Sequence, residues 1–184
     1  AGLFYGKDKF DLERYERIRE ISAEMLAYKT DIPLEKVRDI FCCETGYQTP
    51  KLDTRAALFE DGKILLVREN DGKWSLPGGW VDVDLSVMEN ALKEVKEEAG
   101  LDADLDFVIA VQDRDKHNLP VYAYKICKVF VMCTKKGGSF AANSETVGSG
   151  YFGLDELPEL AEEKNTREQI EMCFAAHLAE NWKT

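Results

Sequence analysis

The sequence predicts an α+β fold: a mixed β-sheet sandwiched between helices, with a small helical region at the N-terminus. Three observations predict it. Runs rich in β-branched and aromatic residues, LDTRAALFED, KILLVRE and PVYAYKICKVFVMCT, read as strands. One acid-rich amphipathic helix, SVMENALKEVKEEAG, interrupts them, and a last helix closes the chain. Ahead of the first strand stand two further helical stretches. The expected division is a helical region over 1–48 and a sheet-bearing domain over 49–184, with Thr49-Pro50 at the joint.

In chain order, residues 1–8 read as irregular, and a helix runs from about Asp11 through Tyr15, Ile18, Ile21, Met25 and Leu26 at helical spacing. Thr30 or Asp31 is the expected N-cap of a shorter helix, PLEKVRDIFC, which Gly46 ends. Two helices of this size make a poor core alone. The expected outcome is a homodimer in which they help form the interface. A helix-turn-helix DNA reader is the lesser reading, because the pair carries as many acids as bases.

The turns Glu60-Asp61-Gly62 and Asp71-Gly72 bound a hairpin strand and lead to KWSLPGGW. DADLDFVIAVQDRD is a strand entering a loop, GSFAANSETVGSG reads as loop, and YFGLDELPEL leads to a helix starting near Thr166. His177 falls on the apolar face of that helix and reads as structural.

The central helix carries the chemistry. Ser86 and Glu89 form a capping box, and Gly100 stands where the last turn ends. Met88, Ala91, Leu92, Val95 and Ala99 make one apolar stripe. Glu94, Glu97 and Glu98 fall at i, i+3 and i+4 and crowd on one face away from it. Like charges near a helix C-terminus do not stabilise it. Either this is a solvated acidic face relieved by Lys93 and Lys96, or the acids await a divalent cation, for which carboxylates plus water and phosphate oxygens suit magnesium. The preceding glycines, which let backbone approach a ligand, favour the second reading.

With 24 basic against 35 acidic residues and a net charge of -11, the chain lacks the basic face a duplex-binding protein needs. The five cysteines, Cys42, Cys43, Cys127, Cys133 and Cys173, are odd in number and form no CxxC, as expected of reduced thiols in the cytoplasm. No apolar run reaches membrane-spanning length and no secretory signal opens the sequence.

These residues resemble the Nudix hydrolase family. Its box, G-x5-E-x7-R-E-U-x-E-E-x-G-U with U a bulky aliphatic, aligns without gaps on Gly79, Glu94, Val95, Glu97, Glu98, Gly100 and Leu101. Leu85 replaces the first Glu and Lys93 the Arg. The helical extension and the departure at Leu85 resemble the bacterial branch that includes CDP-choline pyrophosphatases. The resemblance implies a Nudix-type sheet and magnesium-dependent hydrolysis (manganese in its place) of a nucleoside diphosphate linked to a group X, such as CDP-choline or ADP-ribose. It implies Glu94, Glu97, Glu98 and the Gly79 carbonyl as metal ligands, with Glu97 also catalytic. Glu145, in the loop before the closing segment, is the general base the resemblance implies; His117, in DRDKHN, is the base that side-chain chemistry favours. Arg55, Arg68 and Lys116 are candidate phosphate contacts, and Trp80 a candidate stacking partner for a base. The competing reading is a Nudix-fold nucleotide sensor without catalysis, against which the retained helix acids count.

Overall fold

A computed structural model describes residues 1–43, 46–122 and 124–183. The chain separates into two compact units, Ala1–Pro50 and Lys51–Thr184.

The first unit holds α1 (Gly2–Tyr5), α2 (Lys9–Thr30) and α3 (Leu34–Phe41). Residues 1–8, read as irregular, thus include a short helix. The α2 start is fixed by Asp8, whose carboxylate accepts from the Phe10 and Asp11 N–H groups. Asp31 does not cap α3. It ends α2 in a left-handed conformation, φ 55°, which a short polar side chain tolerates. Pro33 then opens α3, which stops at Phe41, well before Gly46. Arg38 ties α3 to α2 with two hydrogen bonds to Glu20 Oε2, 2.6 and 2.9 Å. Among the described residues of this unit only Ala23 and Val37 are buried apolar residues, while Tyr15, Ile18, Ile21 and Met25 of the α2 stripe are exposed. Such a pair of helices closes almost no core of its own.

The second unit is built on strands β1 (Lys51–Glu60), β2 (Lys63–Glu69), β3 (Trp74–Ser75), β4 (Leu101–Asp113), β5 (Ile126–Gly138) and β6 (Thr146–Phe152). Their order is β3-β2-β1-β5-β4, with β6 paired to β2. Only β1 and β5 run parallel, so the sheet is mixed. Helices α4 (Val87–Ala99) and α5 (Arg167–Leu178) cover its two faces. Alternation along the strands sorts the side chains. Ala56, Leu58, Leu65, Val67, Val129 and Val131 pack with Ala91, Val95 and Ala99 of α4. Their neighbours Ala57, Ile64, Leu66, Phe130 and Met132 pack with Ile170, Cys173 and Phe174 of α5. Strands buried on both faces read as continuous apolar runs, as Ala56–Leu58, Ile64–Val67 and Val129–Cys133 do.

The stretch Thr146–Phe152, mostly read as loop, is a strand. TVGSGYF has little intrinsic β-propensity, but its pairing with β2 from Ile64↔Phe152 to Glu69↔Thr146 supplies the ladder. Both capping boxes are formed, Ser86 with Glu89 on α4 and Thr166 with Gln169 on α5. All five cysteines are free thiols. His177 is exposed and stacks on Phe59 with ring centroids 4.0 Å apart. Among the described residues no helix is long and apolar enough to cross a membrane.

Candidate active site

The helix spacing sets the acids apart from one another. Glu94 and Glu98, one turn apart, are buried at 8% and 7% exposure. Glu97 leans to the solvent side, where Lys93 Nζ lies 3.4 Å from its carboxylate. The three glutamates therefore do not share one solvated face. Lys93, standing where the family motif has arginine, also binds Asp82 at 2.8 Å, and that bond holds its pKa up.

The glycine turn meets these acids closely. Gly78 has φ 151°, and a Cβ there would fall 1.9 Å from the Thr54 carbonyl oxygen, so only glycine fits. Its N–H donates to Glu98 Oε2 at 2.8 Å. A Cβ on Gly79 would stand 3.1 to 3.3 Å from the Glu94 carboxylate. The Gly79 carbonyl accepts from Thr54 N at 2.9 Å and, more weakly, from Thr54 Oγ1 at 3.5 Å. Burial pushes Glu98 up to about 7, against the lowering effect of the Gly78 N–H and Arg55. Burial likewise raises Glu94, with Lys93 opposing.

These groups line a cavity of about 410 Å³ together with Asp53, Arg55, Trp80, Asp82, Arg114, Tyr122, Lys128, Glu145 and Lys164. Arg55 on β1 is buried and grips Asp53 through Nη2 at 2.8 Å and Nε at 3.1 Å. Asp53 and Lys128 are register partners across the parallel β1–β5 pair. Arg114 is held by the Pro120 and Glu163 carbonyls, with its guanidinium 3.7 Å from the centre of the Tyr122 ring. Lys164 pairs with Glu69 at 2.7 Å.

Glu145 is positioned by its flanks. The Asn143 Oδ1 accepts from the Glu145 and Thr146 N–H groups. Asn143 Nδ2 donates to the Glu97 carbonyl and Thr146 Oγ1 to the Glu98 carbonyl, at 2.7 and 2.8 Å. The loop is thereby pinned to the last turn of α4, whose carbonyls need partners.

Of the residues singled out from sequence, the cavity gathers Gly79, Glu94, Glu98, Glu145, Arg55 and Trp80. It does not gather Lys116 and His117, which are exposed at the end of a 3-10 turn, Arg114–Lys116. Arg68 is also outside, with its guanidinium 5.8 Å from the centre of the Trp74 ring. Sequence reasoning passed over Asp53, Lys128, Tyr122 and Lys164, and took Arg114 only as one of the charged groups of the DRDKHN loop. Lys128 had a signal: in Ile126, Lys128, Phe130 and Met132 a lone charge occupies a buried period-two face.

The donor set fits a hard cation. It offers carboxylate and carbonyl oxygens only, and two of the carboxylates are held in a place where burial penalises their charge. Among the described residues no three His, Cys, Asp or Glu side chains stand together as a closed metal-binding group. The set is an open one, as suits an ion that keeps water and takes phosphate oxygens.

Comparison with known proteins identifies the family. Residues 50–173 match the NUDIX domain family, and residues 1–41 match the family described as "UDP-X-like, N-terminal oligomerisation domain". The chain belongs to the Nudix hydrolases. It is 42% identical over 175 residues to the Bacillus subtilis (strain 168) protein named "Putative ADP-ribose pyrophosphatase YjhB", covering 95% of this chain and 84% of that one. The crystal structure of an ADP-ribose pyrophosphatase from Streptococcus suis 89-1591 is 57% identical, with TM-score 0.70, over 74% of this chain and 98% of its own. A UDP-X diphosphatase crystal structure is 37% identical, with TM-score 0.70, over 98% of this chain and 89% of its own.

Proposed function

We propose that this chain hydrolyses the phosphoanhydride of a nucleoside diphosphate joined to a second group, of the ADP-ribose or UDP-X kind, with magnesium bound at Glu94, Glu98 and the Gly79 carbonyl. The carrying observation is that two buried carboxylates share one cavity with Arg55, Arg114, Lys128 and Lys164. A diphosphate needs positive charge around its oxygens, and the acids supply ligands for the cation that completes it. The relatives' names support the substrate class. CDP-choline, expected from the helical extension, falls in the same class.

Glu94, Glu98 and the Gly79 carbonyl would hold the magnesium, which would supply charge neutralisation of the diphosphate and a lowered pKa for the attacking water. The protein's own part is placement. Gly78 N–H fixes one oxygen of Glu98, and the Gly79 backbone admits Glu94 where any side chain would crowd it. Glu145, which lines the cavity, takes the proton from water as it attacks phosphorus; His117 lies outside the cavity and has no part in this step. Trp80, 47% exposed at the cavity, offers a face to a base. The reading includes a homodimer, supported by the oligomerisation-domain match and by the exposed apolar stripe of α2.

The test is release of nucleoside monophosphate from ADP-ribose, UDP-sugars and CDP-choline, with and without magnesium. Glu98→Gln should abolish the magnesium-dependent turnover while circular dichroism stays native. Normal turnover in that variant removes α4 from the mechanism.

A further inference from the structure

Lys128 is a buried lysine, 1% exposed, that lines the cavity. Among the described residues its ammonium has one anionic neighbour, Asp53 Oδ2 at 3.8 Å. That carboxylate is already gripped by Arg55 at 2.8 and 3.1 Å. Among the described residues Lys128 Nζ makes no short hydrogen bond of its own, and an ammonium has three donors to place. A buried charge so weakly partnered is costly unless something completes it.

The charged groups facing it come from three elements. Asp53 and Arg55 come from β1, Arg114 from the 3-10 turn, and Lys164 from the connection before α5. Three of the four are cations. Burial first, and then Arg55, hold Lys128 down to about 7, while Asp53 alone among them opposes. Arg55 and Lys164 each have a close carboxylate, and Arg114 is spent on carbonyls. Lys128 is the cation whose donors remain free for an incoming anion.

We infer that Lys128 is a phosphate-docking residue of this site: its Nζ donates to an oxygen of the bound diphosphate, which supplies the partner that the fold withholds. The inference rests on the diphosphate-cleaving reading given above. Anion binding fixes the ammonium form, so at a pH above about 7 docking draws one proton onto Lys128 from solvent, and no other bond forms or breaks. The arrangement favours an anion over a neutral sugar. It makes affinity for the diphosphate fall as pH rises through the titration of Lys128.

The probe is inorganic pyrophosphate, titrated calorimetrically into the full chain in EDTA, wild type against Lys128→Met. We expect at least about tenfold weaker binding in the variant, an unchanged or higher melting temperature, and a larger KM for the diphosphate substrate. A merely structural lysine would instead lower the melting temperature and leave the affinity of the folded fraction alone. In the wild-type protein, the Lys128 13Cε resonance at about pH 8 should move toward the charged form when pyrophosphate is added, a readout that needs no variant. Equal pyrophosphate affinity in the two proteins, or a 13Cε resonance that does not respond, overturns the inference. Lys128-dependent pyrophosphate binding without hydrolysis of any nucleoside diphosphate-X compound sinks the substrate reading and leaves the docking residue standing. Hydrolysis with wild-type KM in Lys128→Met does the reverse.

Discussion

Removing the Asp53 side chain is the sharpest test of the buried charge network. Asp53 is 6% exposed and is the shared anion for Arg55, 5% exposed, and Lys128, 1% exposed. In Asp53→Ala both cations stay buried and lose that carboxylate; among the described residues Arg55 keeps a 3.3 Å hydrogen bond to the Leu76 carbonyl and the more distant charges of Glu98 and Glu69. Breaking a buried pair by deleting one partner costs about 3–5 kcal/mol. At about 3–4 °C per kcal/mol for a domain of this size, melting should fall by roughly 10–15 °C. The assay is a calorimetric melt in EDTA. Lys128→Met in the Asp53→Ala background should restore part of the loss, because it withdraws one of the two orphaned cations. A drop of less than about 3 °C, or a double variant whose effects simply add, refutes the picture of Asp53 as the anion that makes this strand pair tolerable.

Glu145→Gln should lower turnover by about 100-fold or more, with His117→Ala near wild type, in steady-state assays; the reverse ranking would return the base to the 3-10 turn. The folded-state pKa of Lys128, about 7, lies below its unfolded value, so its burial penalty is full below about 7 and fades as pH rises toward about 10.5. Lys128→Met should therefore exceed wild type in melting temperature most near pH 7, and the gap should close on the alkaline side; a constant gap contradicts the linkage. Deleting residues 1–50 should convert the proposed homodimer to monomer by light scattering, and a truncated chain that remains a stable dimer places the interface elsewhere.

What could be read from sequence depended on whether a signal was local. The α4 boundaries were legible because Ser86, Glu89 and Gly100 are caps that act within a few residues of themselves. The Ile64–Val67 run of β2 and the Val129–Cys133 run of β5 were legible because strands buried on both faces are continuously apolar. β6 was not, since Gly148 and Gly150 carry no strand preference and the ladder comes from β2, about eighty residues earlier. At the site, spacing put three glutamates on one helix, but not which of them faces inward. That is decided by where Gly78 and the sheet lie, and they take Glu94 and Glu98 while leaving Glu97 to Lys93. Asp53 and Lys128, which complete the wall beside Arg55, were hidden for the same reason: β1 and β5 meet in register only after folding.

The two side-chain bonds from Asn143 and Thr146 to the final carbonyls of α4 make the helix its own ruler. A shift of Glu94 and Glu98 along the helix axis carries the loop of Glu145, the proposed base, with it. The whole intervening β4–β5 hairpin can then lengthen, shorten or change its tip without altering that link. Diversification of what the enzyme accepts is thus uncoupled from the chemistry it performs, and a substitution at Asn143, far from looking catalytic, would blur the reaction geometry while every acid remained in place.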